Sequence, residues 1–145
     1  MNENRSKILI VDDNLINLKL LEMWLKKEDH EVITAENGKI ALERAVGENP
    51  DIIISDILMP VMDGFQLCRE IRLDRRIHST PFIIHSASYL HKDDEKLAID
   101  AGADLYIRKP IKRRKFLEII ERTLVEYKGK RSKTANSDVA EEETF

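Results

Sequence analysis

Three short runs, Ile8-Leu9-Ile10-Val11, Ile52-Ile53-Ile54 and Phe82-Ile83-Ile84, are apolar without the polar alternation of a half-exposed strand. Such strands are covered on both faces, as in the interior of a parallel sheet. They belong at the centre of a sheet, with the more mixed segments Glu31 to Ala35 and Leu105 to Ile107 at its edges. Between the strands, apolar residues recur at three- and four-residue spacing: Leu18, Leu21, Leu25; Ile40, Ala41, Leu42, Ala45; Phe65, Leu67, Cys68, Ile71; Leu97, Ala98, Ala101; Phe116, Leu117, Ile120, Leu124. Each set predicts a helix with one buried face. Asn37-Gly38, Asn49-Pro50, Asp63-Gly64, Thr80-Pro81 and Ala101-Gly102 fall at the seams. Strand and helix alternating with short connections predict an α/β fold, a doubly wound five-stranded parallel sheet with right-handed crossovers. Ligands of such sheets bind at the carboxyl ends of the strands, beside the topological switch.

The chain has 145 residues, enough for one such domain and too few for two. A formal net charge of −3 gives no global reason to expect nucleic acid as a partner. The polar start, Met1 to Lys7, runs into a strand, and no stretch is long enough to cross a bilayer, so a cytoplasmic protein without membrane contact is expected. Cys68 is the only cysteine, which excludes an intramolecular disulfide and predicts a small buried apolar residue. His30, His78, His85 and His91 show no metal-ligand spacing and read as loop or packing residues.

The predicted strand ends carry the chemistry. Asp12-Asp13 follows the first strand, Asp56 the third, Ser86 the fourth and Lys109-Pro110 the fifth, so all gather at one edge of the sheet. Carboxylates about 4 Å apart repel by on the order of 4 kcal/mol per pair at an effective dielectric near 20. Positive charge must offset this. Magnesium suits the site because it is a hard cation that takes oxygen ligands and bridges carboxylates to phosphate; Lys109 adds a fixed charge. With both present, the Asp56 carboxylate stays ionised and can attack phosphorus, giving an aspartyl phosphate.

Asp12-Asp13 after an apolar strand, Asp56-Ile57-Leu58-Met59-Pro60-Val61-Met62-Asp63-Gly64, His85-Ser86-Ala87 and Lys109-Pro110 together resemble the response-regulator receiver family of two-component signalling. Any one of these motifs is weak; four in the right order are specific. The match divides the chain into a disordered N-terminus at 1–6, a receiver domain at 7–127 and a flexible polar tail or linker at 128–145. It implies a flavodoxin-like fold with strand order 2-1-3-4-5. By the same resemblance, Asp13, Asp56 and the Leu58 carbonyl bind magnesium, with Asp12 acting largely through water. Asp56 accepts the phosphoryl group, Lys109 pairs with one phosphoryl oxygen, and the Ser86 hydroxyl with the Ala87 amide holds another. Tyr106 and Ser86 form the switch, and the bond before Pro110 is expected cis. A sensor histidine kinase is the implied donor. The implied readout is a downstream protein or fused domain at the face near Tyr106 and Lys112, with homodimer formation on phosphorylation.

Two positions depart from the commonest family pattern. Ser86 keeps the hydroxyl of a frequent threonine but lacks its methyl, which is expected to alter how tightly the switch couples to Tyr106. Leu58 and Ser88 occupy positions that tend to modulate hydrolysis, and Leu58 offers nothing polar to position water, so a long-lived phosphorylated state is expected. Lys112-Arg113-Arg114-Lys115 opens the last helix, where positive charge opposes the helix dipole; it reads as a solvated face or as a docking patch for an acidic partner. Three other functions compete. A haloacid-dehalogenase-like phosphatase needs a second acid where Leu58 stands. A receiver-like interaction module would not need the full acidic set. Flavin binding would be opposed by Asp12-Asp13.

Overall fold

The computed structural model describes residues 5–87 and 93–127. Most of the expected leading segment and all of the expected tail lie outside the described residues. Five strands, β1 (Lys7–Val11), β2 (Glu31–Ala35), β3 (Ile52–Ser55), β4 (Phe82–Ser86) and β5 (Leu105–Arg108), form one parallel sheet in the order β2-β1-β3-β4-β5. Helices α1 (Leu15–Lys27), α2 (Gly38–Glu48), α3 (Gly64–Leu73) and α4 (Asp94–Ala101) alternate with them, and α5 occupies residues 113–127. The fold is the doubly wound parallel sheet expected from the strand patterns, with the flavodoxin-like strand order that the resemblance implied. Its switch point lies between β1 and β3, where the chain reverses its direction of winding.

The period-two alternation within each central strand sends neighbouring residues to opposite helical layers. Ile8, Ile10, Ile52, Ile54 and Ile83 pack with Leu18, Leu21 and Leu25 of α1 and Phe116, Ile120 and Leu124 of α5. Leu9, Val11, Ile53, Phe82 and Ile84 pack on the other side with Ala41 and Ala45 of α2, Leu67, Cys68 and Ile71 of α3, and Ala98 and Ala101 of α4. Leu97 departs from its expected place: it is exposed, and α4 buries Asp94, Ala98 and Ala101 instead. The small alanines let this short helix lie close to the sheet.

Local chemistry sets the ends of the helices. Asn14, Asn37 and Asp63 cap α1, α2 and α3, each side chain accepting backbone N–H groups of the first turn. Beyond α4, Gly102 takes φ +106, where a Cβ would meet the Arg72 side chain. Arg72 spans the lower end of the sheet, donating to the carbonyls of Gly102 and Thr80 and to Asp104, which itself accepts the Phe82 amide. At the opposite edge, buried His30 accepts the Ser6 amide at Nδ1, so Nε2 carries the proton and donates to Glu121 of α5 at 2.6 Å. Among the described residues, no helix is long and apolar enough to cross a membrane.

Candidate functional site

The upper ends of β1, β3, β4 and β5 bring the predicted residues together. The Asp12 amide donates to Ala35 and the Asp56 amide to Val11, so each carboxylate sits just past the last ladder bond of its strand. Asp12 is 2% exposed, Asp56 half-buried and Asp13 exposed. The three offer oxygens that lie within 4.8 Å of one another.

Lys109 enters from β5, its own amide bonded to the Ser86 carbonyl at 3.0 Å. Its Nζ donates to Asp12 Oδ2 at 2.9 Å and stands 3.8 Å from Asp56 Oδ2. The lysine therefore bridges two strand ends, and its tighter partner is Asp12. The remaining oxygens are held by the backbone, Asp12 Oδ1 accepting the Asn14 amide and Asp56 Oδ1 the Ile57 amide. These bonds fix both carboxylates with at least one oxygen of Asp56 toward the cluster.

Burial pushes the Asp56 carboxyl above its usual range, and the charge on Asp12 adds to that push. The Lys109 ammonium, the Ile57 amide and a hydrogen bond with Ser86 pull the other way. Three carboxylates share one ammonium, so the cluster holds more negative charge than its lysine balances. An all-oxygen donor set of this compactness fits a hard divalent cation such as magnesium.

The loop after β3 is shaped around the same aspartate. Gly64 approaches the Asp56 carbonyl so closely that a Cβ there would collide with it, and its amide donates to Ile57 at 2.8 Å. Asp63-Gly64 falls at a seam in the sequence; its task of letting α3 start beneath Asp56 depends on a contact that spacing does not reveal. Leu58 is 57% exposed, so its side chain presents no polar group to the cluster. Ser86 is buried at the end of β4, the exposed Ala87 follows it, and Ser88 lies outside the described residues. Tyr106 is half-buried, packed against the α2–α3–α4 layer. The Lys109–Pro110 peptide is cis. Lys112 is exposed.

Comparison with known proteins agrees with this arrangement. The model of the response regulator receiver domain matches residues 8–121. Hybrid signal transduction histidine kinase L of Dictyostelium discoideum is 40% identical over 121 residues, which make up 80% of this chain and 7% of that protein. Response regulator PleD of Caulobacter vibrioides is 39% identical over 73% of this chain and 23% of its own length. The chain thus spans a minor part of these relatives. Among solved structures, a CheY-like receiver domain protein from Methanospirillum hungatei superposes with a TM-score of 0.80 at 29% identity, covering 87% of this chain and 98% of that one. The receiver domain of a sensor histidine kinase from Pseudomonas aeruginosa, solved with magnesium coordinated in its active-site cleft, gives a TM-score of 0.76 at 31% identity over 83% and 98% of the two chains.

Proposed function

The chain belongs to the response regulator receiver domain family, and from that premise we propose that it takes a phosphoryl group onto Asp56 and signals through a changed surface. The observation that carries this reading is the Lys109 ammonium set between Asp12 and Asp56 in a cluster of three carboxylates. A sensor histidine kinase is the donor. An Asp56 carboxylate oxygen attacks phosphorus, the new O–P bond forms as the P–N bond to the donor imidazole breaks, and the electron pair leaves with the imidazole. Asp12, Asp13, Asp56 and the Leu58 carbonyl would hold magnesium, which when bound supplies charge to offset the phosphoryl oxygens. Lys109 exchanges its contact with Asp12 for one phosphoryl oxygen. The Ser86 hydroxyl and Ala87 amide receive another.

Drawing Ser86 toward the phosphoryl group favours one arrangement of β4, α4 and β5 over another, and Tyr106 follows. The face formed by α4, β5 and α5 then reads out the state to a downstream protein, a fused domain or a second copy. The exposed Leu58 has no polar group to position water beside Asp56, which makes the phosphorylated state long-lived; Leu58→Asn is expected to hasten dephosphorylation. Transfer of labelled phosphoryl from a phosphorylated histidine kinase tests the reading. Label should appear on this chain only with magnesium, vanish with chelator or in Lys109→Ala, and be released by alkali, as an acyl phosphate is. Alkali-stable label, or label unaffected by chelation, would contradict it.

A further inference from the structure

A groove of about 270 Å³ lies outside the carboxylate site, lined by Leu105, Tyr106 and Ile107 of β5 and by Ile119, Arg122 and Tyr127 of α5. Strand β5 has β4 on one side only, so among the described residues its other edge has no strand partner. On α5, Lys115, Ile119, Arg122 and Glu126 recur at four-, three- and four-residue spacing and share one stripe, of which the last three border the groove. Lys112, Arg113, Lys115 and Arg122 are exposed and join none of the salt bridges among the described residues, whereas Arg114 pairs with Glu118. Cations crowd the start of α5, where the helix dipole favours anions. The groove is thus apolar along the strand and carries Arg122 and Glu126 on its helix side, and the α5 stripe continues from it to Lys115 and the other cations at the start of the helix, whose charge an acidic segment would offset.

The chain carries one. Asp138, Glu141, Glu142 and Glu143 with Val139 form an acidic segment with an apolar residue inside it. Ten residues, 128–137, separate it from Tyr127, which itself borders the groove. A linker of that length with coil statistics spans about 17 Å. The stripe from Glu126 back to Lys115 is about 16 Å long. When linker length matches the span, effective concentration is near its maximum, in the millimolar range, so even weak charge and edge contacts suffice. We propose that residues 138–143 of the chain dock along this groove, acids on the α5 cations and Val139 toward Leu105 and Tyr106, covering the face beside Tyr106. The docking stands apart from the phosphorylation reading; that it masks the readout surface rests on that reading.

The test places a nitroxide on Thr144→Cys in the full ¹⁵N-labelled chain, Cys68 being buried. No phosphodonor is added, so its result is independent of Asp56 chemistry. Amide signals of Leu105, Tyr106 and Arg122 should lose most of their intensity at low salt. They should recover at about 1 M salt, where the screening length falls to about 3 Å, and in a Glu141→Gln, Glu142→Gln, Glu143→Gln variant. Undiminished signals at low salt would overturn the proposal. So would loss that persists in the triple variant, or loss that also appears when nitroxide-bearing unlabelled chains are mixed with unmodified ¹⁵N chains, which would assign the groove to a second copy.

Discussion

Val61 takes φ +73 and is 74% exposed, closing a tight turn in which the Met62 amide donates to the Pro60 carbonyl. A β-branched residue in the left-handed region is strained by about 1–3 kcal/mol. Glycine removes that strain while adding freedom to the unfolded chain, so Val61→Gly should raise stability by about 1 kcal/mol. A higher urea midpoint at unchanged slope would show it; a lower midpoint would place the strain elsewhere. His85 is the second exceptional residue. Its ring lies against Phe116, its Nε2 has no hydrogen-bond partner among the described residues, and burial with the nearby Lys109 charge holds its pKa down to about 3 from 6.5. Between those values the unfolded chain binds a proton that the folded chain excludes. Stability therefore falls as pH drops below about 6.5, with a slope of at most about 1.4 kcal/mol per pH unit from this group. His85→Leu should flatten that slope between about pH 6 and pH 4 in urea titrations; an unchanged slope would assign the acid sensitivity to other groups.

Among the elements, the strands were the most legible in the sequence, because a run such as Ile52-Ile53-Ile54 is short, β-branched throughout and buried on both faces. The edge strands β2 and β5 were legible for the complementary reason, their mixed polarity. The site residues were legible as strand-end positions, since topology alone delivers them to one edge. What escaped was which side chains meet. Spacing could not tell that Lys109 bonds Asp12 more closely than Asp56, nor that Arg72 ties α3 to Asp104, because such contacts join residues far apart in sequence. The exposure of Leu97 escaped because helical periodicity does not say which of two adjacent stripes faces the sheet. At this scale the start of α3 is the sensitive joint. Asp63→Ala removes the cap on the Gln66 amide and should cost about 1 kcal/mol. Gly64→Ala drives a Cβ into the Asp56 carbonyl and should cost about 1–3 kcal/mol while displacing Asp56 itself. Equal, small effects of the two on denaturation would show that the contact yields.

For the whole molecule, the carboxylate cluster is a liability that folding assembles and that a bound cation would relieve. On the proposed reading magnesium would bind the folded arrangement and not the unfolded chain, so at ten times its dissociation constant it should stabilise the fold by about 1.4 kcal/mol. Thermal melts should show this gain in the wild type and its loss in Asp13→Ala; an equal gain in both would remove Asp13 from the metal site. The central claim, that the same cluster makes Asp56 a phosphoryl acceptor, is tested most directly by intact mass after incubation with acetyl phosphate. The account predicts a single phosphoryl adduct that requires magnesium and is absent from Asp56→Asn. No adduct under any condition, or an adduct that survives in Asp56→Asn, would contradict it.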